Sequence, residues 1–251
     1  MLVVTGGTQG TGLAFAHRAA AEGVHVVVGA RGRSRGDQAI AEIRNAGGSA
    51  FVVPSDVTVE EEMARLVDTA VSEFGHLDGA FNNAGGGPMA GVRETDSDSW
   101  HRSLARQPDE RLLRLEAPAS GGSSPPAAAR PSTPPLRLRR QGRRDADRLQ
   151  RGEARRHRSH PVGGLDVARS RVRVNALFTG LIDTPLWRGV VSQQPATAER
   201  YLSMQPTGRA GTSDEVAALT AFLLSDEATF VTGAAIAIDR LGRPATSMGT
   251  G

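Results

Sequence analysis

The chain predicts an α/β fold, a single domain built on a doubly wound parallel sheet. Three observations carry this. An apolar run, Leu2-Val3-Val4, leads into the glycine-rich Thr5-Gly6-Gly7-Thr8-Gln9-Gly10-Thr11-Gly12 and then into an alanine-rich helical pattern from Leu13 to Glu22. Short apolar runs and helical patterns then alternate through residue 82, as βαβ units do. Finally, 251 residues are enough for one α/β domain with a substantial core.

The elements follow in order. Strand, glycine turn and helix together give the context of a dinucleotide-phosphate site, with a plain strand–turn–helix as the alternative. Gly6 can take backbone angles closed to other residues, and Gly10 and Gly12 leave no side chain between backbone and pyrophosphate. The helix that begins there aims free N–H groups and a positive dipole end at phosphate. Val24 to Gly29 is nearly continuous apolar sequence, the mark of a strand buried on both faces. A helix is expected from Asp37 to Asn45, closed by Gly47-Gly48. Ala50 to Pro54 reads as the third strand, Val59 to Phe74 as the third helix and Gly79 to Asn82 as the fourth strand. Glu60-Glu61-Glu62 suits the positive end of that third helix. Farther on, Val172 to Leu177 reads as a buried strand and Ala234 to Ile238 as a last one. Between them lies a helix from Asp214 to Ser225, with Ser213 as its expected cap.

Composition narrows the function classes. No apolar run is long enough to span a membrane, and Met1 enters the first strand directly, so no signal peptide is expected and the reading is cytoplasmic. Cysteine is absent, which excludes disulfides and thiolate metal sites. The six histidines have no metal-ligand spacing, so no metal is expected. All 30 basic residues are arginine, and they are unevenly spread. Residues 101–173 hold 18 Arg against 7 acids, while the rest holds 12 Arg against 20. Such asymmetry can mark nucleic-acid binding. Here the segment lacks apolar periodicity and any aromatic between Ala117 and Arg158, so a disordered Pro/Arg-rich insert is expected rather than a specific nucleic-acid site.

Thr5-Gly6 with Gly10 and Gly12, then Asp56-Val57, then Asn82-Asn83-Ala84-Gly85 form an ordered set of motifs that resembles the short-chain dehydrogenase/reductase family. Later matches are Arg173-Val174-Asn175-Ala176, Gly180 with Thr184, Pro206 to Arg209, and Asp214 to Ala217. The resemblance covers roughly residues 1–105 and 165–239. It implies a Rossmann-like sheet and hydride transfer between a nicotinamide cofactor and an alcohol/carbonyl pair. The cofactor would be held by Gly6, Thr8, Gln9, Gly10, Thr11 and Gly12, and by Asp56 and Val57 along the adenine. Asn83, Ala84 and Gly85 would steady the sheet beside it, and Gly180, Ile182 and Thr184 would reach its nicotinamide side.

The choice of coenzyme turns on the end of the second strand. A carboxylate there would bind the ribose of NAD, whereas an arginine pairs with the extra phosphate of NADP. The chain has Ala30-Arg31, with Arg33 and Arg35 beyond and no acid before Asp37. This favours NADP with Arg31 as phosphate ligand. NAD, with Arg31 a solvated loop residue, is the alternative. Leu186 to Met204 is the variable segment that usually closes over substrate, and its Leu186, Trp187, Val190, Val191, Tyr201 and Leu202 suggest a small apolar alcohol or carbonyl.

In the family a tyrosine acts as general acid or base, and a lysine four residues later lowers its pKa. A phenol with an ordinary pKa near 10 needs that cation to work at neutral pH. This chain has no lysine, and its single tyrosine is Tyr201. No catalytic residue can therefore be assigned. Gln107 stands near the place of the family's helix asparagine, and Ser132 is the nearest candidate for its serine. Residues 106–164 read as an aberrant segment replacing the catalytic helices. Through those helices family members usually form homo-oligomers.

The genetic code permits a specific account of this segment. Moving the reading window one base forward from Arg106 to Leu115 allows Val-Asn-Leu-Thr-Ser-Val-Phe-Tyr-Gly-Leu. The same shift from Leu149 to Glu153 allows Tyr-Ser-Ala-Ala-Lys, and the register returns at Leu165. A frame-shifted centre, and a chain inactive as written, is the leading reading. A non-catalytic dinucleotide-binding or scaffold protein is the second, and an arginine-rich nucleic-acid binder the third.

Overall fold

The structure is a computed structural model that describes residues 1–85 and 172–238, and the backbone of residues 111–115. β1 (Leu2–Thr5), α1 (Gly10–Ala21), β2 (Val26–Ala30), α2 (Arg33–Asn45), β3 (Ala50–Pro54), α3 (Glu60–Phe74) and β4 (Gly79–Asn82) alternate in the expected order. Two helices begin earlier than their apolar periodicity suggests. α1 starts inside the glycine turn at Gly10 rather than at Leu13. α2 starts at Arg33 rather than Asp37, because Gly36 is a packing residue and not a break. A Cβ there would lie 2.6 Å from Val52 Cγ2, so only glycine lets this turn of α2 rest on β3.

The second half comprises β6 (Val172–Thr179), β7 (Ile182–Asp183), α4 (Pro185–Gln193), α5 (Pro195–Ser203), β8 (Gly211–Thr212), α6 (Ser213–Leu224) and β9 (Ala235–Ile238). Both α4 and α5 open on a proline, whose missing N–H costs nothing at a helix start. The cap of α6 is Thr212, not Ser213. The Thr212 hydroxyl accepts from Glu215 N at 3.2 Å, and the Glu215 carboxylate accepts from Thr212 N at 2.7 Å. This reciprocal capping box outbids a lone serine one residue later.

The main sheet runs β3-β2-β1-β4-β5-β6-β9, where β5 is Arg111–Leu115. β1 pairs in parallel with β2 and β4, β2 with β3, and β6 with β9. The expectation of a parallel sheet meets one exception, since β5 lies antiparallel to both β4 and β6. Under the shifted reading these residues would belong to a helix. As written they occupy the gap between two strands whose backbone groups need partners. The Pro/Arg-rich stretch 117–160, Gln107, Ser132, Leu149, Glu153 and residues 239–251 lie outside the described residues.

Alternate residues of the first two strands feed two opposite faces. Leu2, Val4, Val26 and Val28 point to a core shared with Phe15, Ala16 and Ala19 of α1 and Val216, Leu223 and Leu224 of α6. Val3 and Val27 point the other way, against Leu66 and Ala70 of α3. This two-sided burial is why β2 reads as unbroken apolar sequence. Among the described residues no helix is long and apolar enough to cross a membrane.

Candidate functional site

Parallel strands place their carboxyl ends along one edge, and the chain reverses direction across the sheet between β1 and β4. Ligands of open α/β sheets bind outside the carboxyl ends at such a switch point. The glycine turn after β1, Ala30-Arg31 after β2, Asp56-Val57 after β3, Asn83 to Gly85 after β4 and Gly180 after β6 all lie at that edge.

The turn is built by close approach. Gly6 and Gly10 have φ of +67° and +54°, a region that favours glycine. A Cβ on Gly6 would stand 2.8 Å from Ala84 Cα, and one on Gly12 would stand 2.5 Å from both Asn83 Nδ2 and Gly6 O. Glycine at these two positions thus serves contact with the β4 turn. Gly10 instead faces the other half of the chain, and its Cβ would meet Thr184 Cγ2 at 3.1 Å.

Hydrogen bonds hold the arrangement. The buried Thr5 hydroxyl accepts from Asn83 N at 3.0 Å and from Ala84 N at 3.1 Å. Asn83 Nδ2 donates to the carbonyl oxygens of Thr5 and Gly6, each at 3.3 Å. Gly6 N donates to Gly29 O at 2.9 Å, tying the turn to the end of β2. Thr5, one of the matching residues, thus joins β1 to the turn after β4 through its side chain.

The remaining expected residues sit at the edge without closing on the turn. Asp56 Oδ1 accepts from Thr58 N at 2.9 Å and Thr58 Oγ1 at 2.7 Å, which shapes the exit from β3. Val57 follows it, half-buried. Arg31 is exposed and has no acidic partner among the described residues. A cavity of about 300 Å³ beside the turn is lined by Thr8, Gln9, Gly10, Arg35 and Pro185, among others. Arg35, rather than Arg31, is the arginine in its wall. Thr11 begins the exposed side of α1, half-buried.

On the far side, the Thr184 hydroxyl caps α4 by accepting from Trp187 N at 3.3 Å. Leu181 O accepts from Gly211 N at 2.8 Å, and Ile182 and Asp183 pair with Gly211 and Thr212. Arg188 grips both Asp183 oxygens, at 2.8 and 2.9 Å, and its hydrogen bond lowers the carboxyl pKa. Arg209 likewise grips Glu215, and with the Thr212 N–H it holds that carboxyl down to about 2. Tyr201 is half-buried on α5 in a cluster with Trp187, Val190, Ala198 and Leu202. No group of His, Cys, Asp and Glu able to hold a metal occurs among the described residues.

The glycine turn packs backbone closely at the start of α1, the kind of helix N-terminus at which phosphate-bearing ligands bind. The cavity lined by Arg35 and Glu42 lies alongside.

Known proteins point the same way. Residues 1–107 match the family model described as short chain dehydrogenase, and residues 163–240 match the one described as enoyl-(acyl carrier protein) reductase. The chain is 36% identical over 245 residues to cis-4-hydroxycyclohexanecarboxylate dehydrogenase of Sinomonas cyclohexanicum, covering 94% of each chain. It is 29% identical over 256 residues to cyclopentanol dehydrogenase of Comamonas testosteroni, covering 95% of each. Its fold is that of L-sorbose reductase from Gluconobacter frateurii, solved with NADPH and L-sorbose. The TM-score is 0.68 at 23% identity, over 96% of this chain and 95% of that one. Sequence motifs, sheet order and relatives agree that this chain belongs to the short-chain dehydrogenase/reductase family.

Proposed function

We propose that the chain derives from an NADP(H)-dependent oxidoreductase acting on a small apolar alcohol or carbonyl, and that as written it binds nucleotide without turning over substrate. The observation that carries this is the contrast between a closely packed glycine turn and a missing acid/base. Gly6 and Gly12 are closed against Ala84 and Asn83, while the chain has no lysine and its single tyrosine is Tyr201 on α5.

When bound, the cofactor supplies hydride transfer at its nicotinamide. The chain's own part would be positional. Gly6, Thr8, Gln9, Gly10, Thr11 and Gly12 would offer backbone to the pyrophosphate. Arg31 would meet the extra phosphate of NADP, Asp56 and Val57 would flank the adenine, and Gly180, Ile182 and Thr184 would hold the nicotinamide side. Asn83, Ala84 and Gly85 would keep the turn and the fourth strand together. The apolar α4–α5 cluster and the cyclic alcohols named for the relatives both favour an alicyclic substrate.

Residues 106–164 are read as the product of a frame-shifted stretch of gene that replaced the catalytic helices. The two family-model matches end at residue 107 and resume at residue 163, which supports those limits. Coding DNA with a shifted-frame Asn codon at Gln107, a Tyr codon at Leu149 and a Lys or Arg codon at Glu153 is the expected result. Lack of these codons would replace the frame shift with ordinary degeneration.

Titration of the purified chain with NADPH and NADH, followed by tryptophan emission, should show binding with NADPH preferred. Arg31→Glu should remove that preference. Alcohol oxidation should stay at background, since losing a positioned acid/base costs roughly 10²–10⁴ in rate. Restoring the frame should restore turnover, and robust turnover by the unaltered chain would refute the proposal.

A further inference from the structure

Gln205 is a buried amide with two very different ends. Its residue is 4% exposed, just beyond α5. Its Oε1 accepts from Leu181 N at 3.1 Å, while its Nε2 is fully buried and has no hydrogen-bond partner among the described residues. The backbone around it is fixed on both sides. Gln205 N donates to Leu202 O at 3.0 Å, and Gly208 N donates to Gln205 O at 3.0 Å.

Leu181 follows Gly180 in the connection that carries Ile182, Asp183 and Thr184. Its N–H is taken by Gln205, and its carbonyl by Gly211. Three residues later, Thr184 both caps α4 and lies against Gly10 of the glycine turn. A chain of fixed contacts therefore runs from the end of α5, through one amide, to the glycine turn. Leaving a buried donor unpaired costs on the order of 1–3 kcal/mol. An apolar residue would fill the same volume without that cost. The acceptor end is then the reason for a glutamine here.

We propose that Gln205 is a positioning residue that pins the 180–184 loop in its nucleotide-competent place, tying the α4–α5 pair to the Gly10–Thr184 contact. The inference rests on the reading of this edge as an NADP(H) site. Without the pin, the loop spends part of its time elsewhere, and apparent affinity falls by the competent fraction.

The test compares the full-length parent chain with Gln205→Leu and Gln205→Glu. Leucine fills the space but cannot accept from Leu181 N–H, whereas glutamate restores an acceptor. The readouts are NADPH affinity, amide hydrogen exchange at residue 181 and melting temperature. Gln205→Leu should weaken NADPH about fivefold, the worth of one net hydrogen bond, and speed exchange at residue 181. Gln205→Glu should recover most of the affinity and the slow exchange. If Gln205→Leu binds NADPH as the parent does, the inference is overturned while the cofactor reading stands. If glutamate and leucine weaken binding equally and lower the melting temperature together, the role is merely structural and the inference also falls. Failure of the parent itself to bind NADPH overturns the cofactor reading and this inference with it.

Discussion

The two described halves are held together by different physics. In residues 1–85, β1, β2 and β3 pair in sequence-local βαβ units, and Val26, Val27 and Val28 are fully buried on alternate faces. Side-chain hydrogen bonds that join strands there gather at the Thr5–Asn83 turn. In residues 172–238, β6 is tied by polar side chains. Arg173 is 4% exposed and donates to the carbonyl oxygens of Leu223, Ser225 and Val231. Asn175, 1% exposed, donates to Val231 O and accepts from Ala234 N, clamping the approach to β9. β2 is held by apolar packing on both faces, whereas β6 adds buried polar side chains to the packing that its Leu177 shares with α6. β6 runs beside the end of α6 and the approach to β9, whose carbonyl groups need donors that Arg173 and Asn175 supply.

Four substitutions would break or sharpen that contrast. The largest effect is expected at Arg173. Arg173→Met removes donors to three carbonyls and should cost about 4 kcal/mol, since each stranded acceptor costs roughly 1–3 kcal/mol. Chemical denaturation with exchange protection should show the loss concentrated in α6 and β9. Uniform loss across both halves would dissolve the contrast. Next comes Leu66, fully buried under β1 and β2. Leu66→Ala should cost about 3 kcal/mol through transfer and cavity terms, with protection lost first in α3 and β2.

A smaller effect belongs to the α6 cap. Thr212→Ala removes the acceptor for Glu215 N and should cost about 1 kcal/mol. Thr212→Ser should recover most of it in thermal melts, and no difference between alanine and serine would show that the cap contributes nothing. The smallest effect is pH-dependent. Glu215 is held at about 2, below its ordinary 4.5, first by Arg209 and then by Thr212 N–H. A lowered folded pKa means that its stabilisation is present above about 4.5 and fades as pH falls towards 2. Melting temperatures of the parent and Glu215→Gln should therefore differ near neutrality and converge in acid. Parallel curves down to pH 2 would contradict the ion pair.

Much was legible in the sequence because it is local. Strand limits at Ala50–Pro54 and Gly79–Asn82 agree residue for residue with the structure. The apolar runs there are short and bounded by turn residues. The glycine turn and its place between strand and helix were likewise legible from spacing, and the later motifs from their resemblance to the family's. Gly36 was not, because its use as a contact with Val52 depends on a strand met only later in the chain. The cap of α6 was misplaced by one residue because Thr212 and Ser213 have equal chemistry. Only the backbone angles decide which hydroxyl reaches Glu215 N.

By itself the sequence determined an α/β chain with a phosphate-type turn, an arginine-only charge pattern and no tyrosine–lysine pair. Periodicity, composition and motif spacing are properties of neighbours along the chain. Tertiary structure alone decided the rest. It set Gly12 against Asn83 and Gly10 against Thr184, reversed β5 between two parallel neighbours, and buried Gln205 with its oxygen on Leu181. Each of these joins residues far apart in sequence, and such contacts leave no period or spacing to read until the sheet has brought them together.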